Sequence, residues 1–315
     1  MCVGFDLGKI PRVKIWVAGA GGSLGKSLIS TLESKGINPI LAPTRADLDL
    51  EDQDAVFEYV MKNKPTHVFH LAAKVFGISG HQQHPEESLI INTRIDNNIF
   101  SSLFESPPEW VYYSSTVAAY GYPYLHLPLN EEDFLQGTPH ASEFGYATSK
   151  RFALNYLQML HEIKKTKYVY GLTTNLFGSG DRFLEGRGHV VISLLEKAKQ
   201  AKRERKQLEV WGSGSASRDF LSTFDAAALI VSLMDKQVGV VNIASGQEIP
   251  ISEIAEYIVE AFDIEEGFKF IGINEGITSR VCSTRKLSMV TDLISKIDSR
   301  KVLRAEIINF AKNND

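Results

Sequence analysis

Residues 14–25 read Lys14-Ile15-Trp16-Val17-Ala18-Gly19-Ala20-Gly21-Gly22-Ser23-Leu24-Gly25, and this stretch decides the fold. The apolar run 14–18 predicts a buried strand, and the apolar periodicity of 24–35 predicts the helix after it. Between them Gly19, Gly22 and Gly25 recur at every third position. A glycine at the first of these places turns the chain tightly out of the strand. At the second it lets the backbone approach a pyrophosphate with no Cβ in the way, and at the third it lets the helix pack close to the sheet. Ser23 and Leu24 open the helix, so their N–H groups and the positive end of the helix dipole would face the phosphates. A purely structural turn would use the same glycines. Their place in the first strand–helix unit of an alternating chain favours a dinucleotide site.

The alternation continues outward from there. Strands are predicted at 39–42, 66–71, 110–114 and 168–173, and helices at 52–62, 85–104 and 143–164, the pattern of a parallel α/β sheet. Beyond residue 175 the pattern turns irregular, with Gly and Arg clusters at 178–188 and 211–219. Helices are predicted there at 190–205, 225–234 and 251–262, strands at 208–211, 240–243 and 268–271, and a charged, helix-prone tail after 288. The expected architecture is a Rossmann doubly wound parallel sheet over residues 12–175. A smaller C-terminal substrate-binding α/β domain over 176–315 would share some elements with that sheet. No internal repeat or low-complexity segment interrupts the chain.

Composition fits this reading. The 315 residues, 43% hydrophobic and 23% charged, suffice for one large domain with a smaller one appended. A net charge of −4 argues against a broad basic surface and so against a nucleic-acid partner, while leaving room for a local basic pocket. Cys2 and Cys282 lie at opposite ends with no CxxC pair, which gives neither a disulfide framework nor a zinc site. The first twelve residues lack the apolar stretch of a signal peptide. No run approaches the roughly 18–20 apolar residues of a membrane span. A cytoplasmic protein with no membrane partner is expected. His67 and His70 alternate within a predicted buried strand, and His81 and His84 sit in a polar loop, so no metal is expected either.

Cofactor type is read at the end of the second strand, Ala42-Pro43-Thr44-Arg45. An acid there would hold the ribose hydroxyls of NAD, whereas an Arg accommodates the 2′-phosphate of NADP. Arg45 can fork onto a phosphate and Thr44 can add a hydroxyl, so NADP(H) is expected in preference to NAD(H). The plain alternative is a solvated Arg. Asp49 would meet the adenine amino group or cap the following helix.

Tyr146-Ala147-Thr148-Ser149-Lys150 puts a phenol and an ammonium one helical turn apart on one face. A phenol titrates near 10, a nearby ammonium lowers that value, and the phenol becomes a usable general acid. The spacing alone also suits a surface pair. It gains meaning because Ser114-Ser115-Thr116 ends the preceding strand, where a hydroxyl reaches the same substrate oxygen.

Together the GxxGxxG turn, Leu71-Ala72-Ala73-Lys74, Ser114-Ser115-Thr116 with Tyr120-Gly121, and Tyr146 with Lys150 resemble the extended short-chain dehydrogenase/reductase family. Within that family several stretches are similar to the GDP-fucose synthase-like nucleotide 4-keto-sugar reductases. They are Thr44-Arg45 with residues 46–52, Ala73-Lys74-Val75-Phe76-Gly77, Thr174-Asn175-Leu176-Phe177-Gly178, Gly188-His189-Val190, Val210-Trp211-Gly212-Ser213-Gly214 and Arg218-Asp219-Phe220. The resemblance runs from about residue 14 to 245. It implies hydride delivery from NADPH to the C4 carbonyl of a nucleotide sugar, GDP-linked in particular. Tyr146 would donate the proton, Lys150 would hold the nicotinamide ribose and depress the Tyr146 pKa, and Thr116 or a serine before it, Ser115 included, would bond the carbonyl. Leu71, Ala72, Ala73, Lys74 and Thr173 would lie against the cofactor.

The resemblance also implies departures. The family's epimerising histidine matches His189, but its cysteine position is Thr116 here. A hydroxyl is far too weak an acid to replace a thiol, which titrates near 8.5. Reduction without epimerisation is therefore expected, and the alternative for His189 is a helix-start residue that contacts substrate or backbone. Phe76, Asn175, Val190, Trp211, Arg218 and Arg280 match substrate positions. Trp211 offers a flat face for a base or sugar, Arg218 a fork for the diphosphate, and Arg280 a second cation, with Val281 where the family has Lys. The plain alternative puts Trp211 in the core and pairs Arg218 with Asp219.

Other functional readings are a sugar 4-epimerase or 4-dehydrogenase with tightly bound NAD(P), and a non-catalytic NADP-binding sensor, against which the intact Tyr146 and Lys150 speak. A dehydratase is disfavoured because Val117-Ala118 stands where those enzymes carry an Asp-Glu pair. The resemblance further implies a homodimer built through a four-helix bundle of helices 85–104 and 143–164. The stripe Leu154, Leu157, Leu160 would face either that bundle or the sheet.

Overall fold

The computed structural model describes residues 13–76, 83–178, 190–272 and 276–313. The first half alternates as its pattern predicts: β1 (Ile15–Ala18), α1 (Ser23–Ser34), β2 (Ile40–Leu41), α2 (Gln53–Asn63), β3 (His67–His70), α3 (Pro85–Glu105), β4 (Trp110–Thr116), α4 (Phe144–Lys164) and β5 (Lys167–Thr173). The second half runs β6 (Asn175–Phe177), α5 (Val190–Glu204), β7 (Leu208–Trp211), β8 (Ser217–Ser222), α6 (Thr223–Ser232), β9 (Gly239–Ile243), β10 (Glu248–Pro250), α7 (Ile251–Phe262), β11 (Phe268–Ile271), β12 (Ser279–Arg280), α8 (Arg285–Ser288) and α9 (Ser299–Lys312).

The central sheet is parallel throughout, in the order β2-β1-β3-β4-β5-β9. Successive strand residues point to opposite faces, and the two cores follow that rule. Ile15, Val17, Phe69 and Tyr112 pack with the side chains of α1 and α6. Trp16, Ala18, Val68 and Tyr113 pack with those of α2, α3 and α4. Helices on both faces of an open parallel sheet make the Rossmann architecture. The chain adds β2 on one side of β1 and then crosses to β3 on the other. That reversal opens a crevice at the carboxyl ends of β1 and β3, where open α/β sheets bind ligands.

A further core gathers Leu194, Leu195, Phe220, Ile254, Ile258, Leu303 and Ile307 from α5, β8, α7 and α9. Around it β8 pairs with β10, β12 and β6, and β7 pairs with β11. The chain returns to the central sheet at β9, and α6 packs against α1, so residues beyond 175 serve this core and the central sheet alike.

Periodicity did not predict the short strands β6, β10 and β12, nor the six-residue β8. In β8 the polar residues Ser217 and Asp219 are buried, so its sequence lacks the apolar signature of a core strand. The tail after 288 supplies α9, whose Leu303, Ile307 and Ala311 stand four apart and complete the C-terminal core. The start of α2 is capped by Asp52, whose carboxylate accepts from the Ala55 N–H. Asp49 is not that cap: its carboxylate accepts from Glu51 N in the turn before. Leu154, Leu157 and Leu160 are buried in the core between α4 and the sheet, so that stripe is not a bundle face. The exposed apolar residues of α4 are instead Phe144, Phe152, Met159 and Ile163. Among the described residues no helix is long and apolar enough to cross a membrane.

Candidate active site

The glycine turn after β1 has the geometry that its spacing predicts. Gly19 has φ +93°, and a Cβ there would lie 2.7 Å from the Ala72 backbone nitrogen. A Cβ on Gly25 would overlap the Gly19 carbonyl oxygen. Both places therefore need glycine, one for φ and close approach, the other for helix packing. Gly22 is the N-cap residue of α1, and no side chain caps the helix there. The Ser23 hydroxyl oxygen is closed off from solvent and has no hydrogen-bond partner. Open helix N–H groups beside an orphaned hydroxyl fit a diphosphate, which would satisfy both.

Across the crevice the segment after β3 is held by Asn92 of α3, which the sequence reading missed. Its side-chain carbonyl accepts from Lys74 N at 2.7 Å and its amide donates to Lys74 O at 3.0 Å. This clamp fixes Leu71, Ala72, Ala73 and Lys74 opposite the glycine turn, and Leu71 N donates to Ala18 O. Lys74 pairs with Glu87 at 3.4 Å. Phe76 is buried against His84, so it shapes this segment from within. At the end of β2 the Asp47 carboxylate accepts from both the amide and the hydroxyl of Thr44, and these two bonds hold it below the usual carboxylate range. Arg45, 75% exposed, pairs with Glu51 at 3.3 Å.

The helix that carries Tyr146 and Lys150 begins where Gly145 lies against the Pro85 carbonyl, a contact no larger residue permits. One turn on, Lys150 is 1% exposed. Its Nζ donates to Ser114 O at 2.9 Å and lies 4.5 Å from the centre of the Tyr113 ring and 5.9 Å from that of Tyr146. Burial pushes the Lys150 ammonium down to about 8, with the Asp96 carboxylate opposing the shift. The Tyr146 phenol moves upward, first by burial and then by the charges of Glu143 and Asp96. The phenol therefore does not fall below its usual value as expected: burial beside two carboxylates outweighs the ammonium 5.9 Å from the centre of its ring.

Strand alternation sorts the three hydroxyls at the end of β4. Ser115 is 3% exposed and donates to the Tyr170 hydroxyl at 2.7 Å, so its expected contact with a substrate carbonyl does not hold. Ser114 and Thr116 point the other way and are partly exposed. The Ser114 and Thr173 hydroxyls stand 3.5 Å apart. The Thr116 hydroxyl oxygen accepts from Ala118 N, which steadies the turn after the strand and leaves its own proton free to donate.

Among the residues expected to meet substrate, Trp211 ends β7 with 73% of its surface exposed, so it is not core. Arg218 and Arg280 are register neighbours on β8 and β12. Arg218 does not pair with Asp219: its guanidinium donates to the carbonyls of Ser217 and Thr278. Asp219 turns inward and accepts from Ser245 and Gly246. Burial, then the charge of Arg280, pushes Arg218 down to about 10. Arg280 is buried, donates to Glu143 at 2.6 Å and to the Tyr124 hydroxyl at 2.7 Å, and these partners hold its charge although burial opposes it. Glu143, three residues before Tyr146, ties this cluster to the start of α4. Asn175 donates to Asp219 O, and Val190 opens α5. His189, like Gly77 and His81, lies outside the described residues.

The profile of the NAD dependent epimerase/dehydratase family matches residues 15–244. GDP-L-fucose synthase 1 of Arabidopsis thaliana is 31% identical over 255 residues, covering 80% of this chain and 79% of that protein. Among solved structures, a GDP-L-fucose synthetase from Naegleria fowleri bound to NADP superposes with a TM-score of 0.85 at 23% identity, covering 97% of this chain and 96% of that one. A GDP-mannoheptose C4 reductase from Campylobacter jejuni with NADP bound superposes with a TM-score of 0.83 at 21% identity, covering 97% and 99%.

Proposed function

We propose that this chain, which belongs to the NAD dependent epimerase/dehydratase family and is thereby an NAD(P)-dependent oxidoreductase, reduces the C4 ketone of a GDP-linked 4-keto-sugar with NADPH, without epimerising the ring. The observation that carries this reading is the seat formed by Tyr146, the buried Lys150 and the partly exposed hydroxyls of Ser114 and Thr116.

Ser114 or Thr116 donates to the ketone oxygen and orients the carbonyl. NADPH, when bound, supplies the hydride. Tyr146 gives its proton to the oxygen as charge develops there. The phenolate left behind needs positive charge nearby, which the Lys150 ammonium provides. Arg280 pairs with Glu143 and offsets part of the charge by which that carboxylate opposes the phenolate. Arg218, bonded only to backbone carbonyls among the described residues, holds the diphosphate, and the exposed face of Trp211 receives the base or sugar. The glycine turn and Ser23 hold the cofactor pyrophosphate. Arg45 meets the 2′-phosphate by leaving Glu51, a small change because an exposed pair contributes only about 0–1 kcal/mol. The named relatives, GDP-L-fucose synthases and a GDP-mannoheptose C4 reductase, support the GDP-sugar. Thr116 in place of a thiol supports reduction alone.

In this reading residues 12–175 bind cofactor and 176–315 bind sugar nucleotide. Two chains pair through α3 and α4, whose exposed Ile90, Phe152, Met159 and Ile163 supply an apolar face. The test follows nicotinamide absorbance with NADPH, then NADH, over a panel of nucleotide 4-keto-sugars. NADPH consumption with GDP-linked members supports the reading. No consumption with any member, together with cofactor retained through purification, replaces it with an epimerase or dehydrogenase that recycles its cofactor.

A further inference from the structure

Behind the catalytic lysine lies a closed set of buried polar groups with no place in the steps above. Asp96, on α3, is 2% exposed. Its Oδ1 is 2.8 Å from Nε2 of His70 on β3, and its Oδ2 accepts from the hydroxyl of Tyr113 on β4 at 2.8 Å. His70 and Tyr113 are fully buried. The Tyr113 ring stands between two charges: its hydroxyl is on the Asp96 carboxylate and its face is 4.5 Å from the Lys150 Nζ.

An isolated charge in such surroundings is strongly disfavoured, and this pocket holds one acid and one amine. The other titratable groups around the amine are phenols and an imidazole. Tyr146 lies on its own helix, and Tyr170 on β5 donates to the Lys150 carbonyl and stacks on Tyr113. Arg151, next along α4, turns away to the carbonyls of Ala119, Phe134 and Gly137. Burial pushes the His70 imidazole down, towards its neutral form. A neutral ring that donates to Asp96 carries its proton on Nε2 and leaves Nδ1 bare, and Nδ1 is buried with no partner. His70 thus adds a hydrogen bond to the carboxylate but no competing positive charge. The negative charge of Asp96 remains available to the lysine.

We propose that Asp96, held by His70 and Tyr113, is a positioning acid that supplies the counter-charge keeping the Lys150 ammonium protonated in its buried seat. Its importance for turnover rests on the reading that Lys150 serves the reduction described above. Its electrostatic effect on Lys150 does not.

The test titrates Lys150 directly in protein carrying 13C at the lysine ε-carbon, free of substrate, with the Lys150 signal identified by its loss in Lys150→Arg. In Asp96→Asn the titration moves down by about one pH unit, the order expected for losing an opposite charge that acts across a single aromatic ring in a poorly screened interior. In Asp96→Glu it stays near the native value. An unmoved titration in folded Asp96→Asn overturns the proposal. Should that variant not fold, neutron diffraction of the native protein near pH 7 decides. Three deuterons on the Lys150 Nζ and none on Asp96 support it, whereas a deuteron on Asp96 overturns it. In active enzyme the basic limb of the kcat/KM profile in Asp96→Asn moves down with the lysine. If no keto-sugar is reduced, the titration by itself still decides whether Asp96 holds the charge on Lys150.

Discussion

At the scale of single residues, the proposed proton donor Tyr146 and its neighbour Lys150 stood out in the sequence because a four-residue spacing on a helix fixes a shared face. Tyr146→Phe should lower turnover by about two to four orders of magnitude, the usual contribution of a positioned general acid, while NADPH still binds. Undiminished turnover with intact binding would remove Tyr146 from the mechanism. Arg45→Glu tests the cofactor assignment. A charge-assisted bond contributes roughly 1.5–3 kcal/mol, so NADPH should bind about 10–100-fold more weakly and NADH nearly as before. Equal effects on both would mean that Arg45 does not read the 2′-phosphate. Activity should fall as pH rises through the Lys150 value of about 8, because the charged amine, present below that pH, is the working form. The choice among Ser114, Ser115 and Thr116 was also within reach, since alternation along β4 places Ser115 beside Tyr113 on the inner face. Glu143 with Arg280, and Asp96 with His70, were not legible. Each pair is joined across 137 and 26 residues of sequence respectively, and no local pattern marks a partner so distant.

At the scale of elements, periodicity located the long helices and the buried strands because each repeats its apolar residue on one face. It failed at the short strands β6, β10 and β12 and at β8, which is polar inside, although it found β2, which is equally short. Leu157 measures how firmly α4 is seated. Leu157→Ala should cost about 2–5 kcal/mol and lower the Tm, and the catalytic residues of α4 should loosen with it. Gly25→Ala should abolish nucleotide binding with milder loss of stability, because a Cβ there meets the Gly19 carbonyl and moves the start of α1. Unchanged NADPH affinity in that variant would detach the glycine turn from the cofactor.

At the scale of the whole molecule, the sequence suggested two units, and the structure gives them distinct cores while returning β9 and α6 to the central sheet. A plain cut at residue 175 therefore describes the chain only roughly. The apolar residues exposed on α3 and α4 should make the protein a dimer, and Phe152→Glu with Met159→Glu should yield a 35.0 kDa monomer by light scattering. A native protein already monomeric would leave that face without a partner copy. The proposed reduction passes hydride from NADPH to the sugar C4, and the measurement that bears on it uses NADPH carrying deuterium at the transferable C4 position and a GDP-linked 4-keto-sugar, the product being examined by NMR. Deuterium at the sugar C4, with no solvent label at C3 or C5 when the reaction is repeated in heavy water, is the predicted result. A product without deuterium at C4, or with solvent label beside it, would contradict a simple C4 reductase.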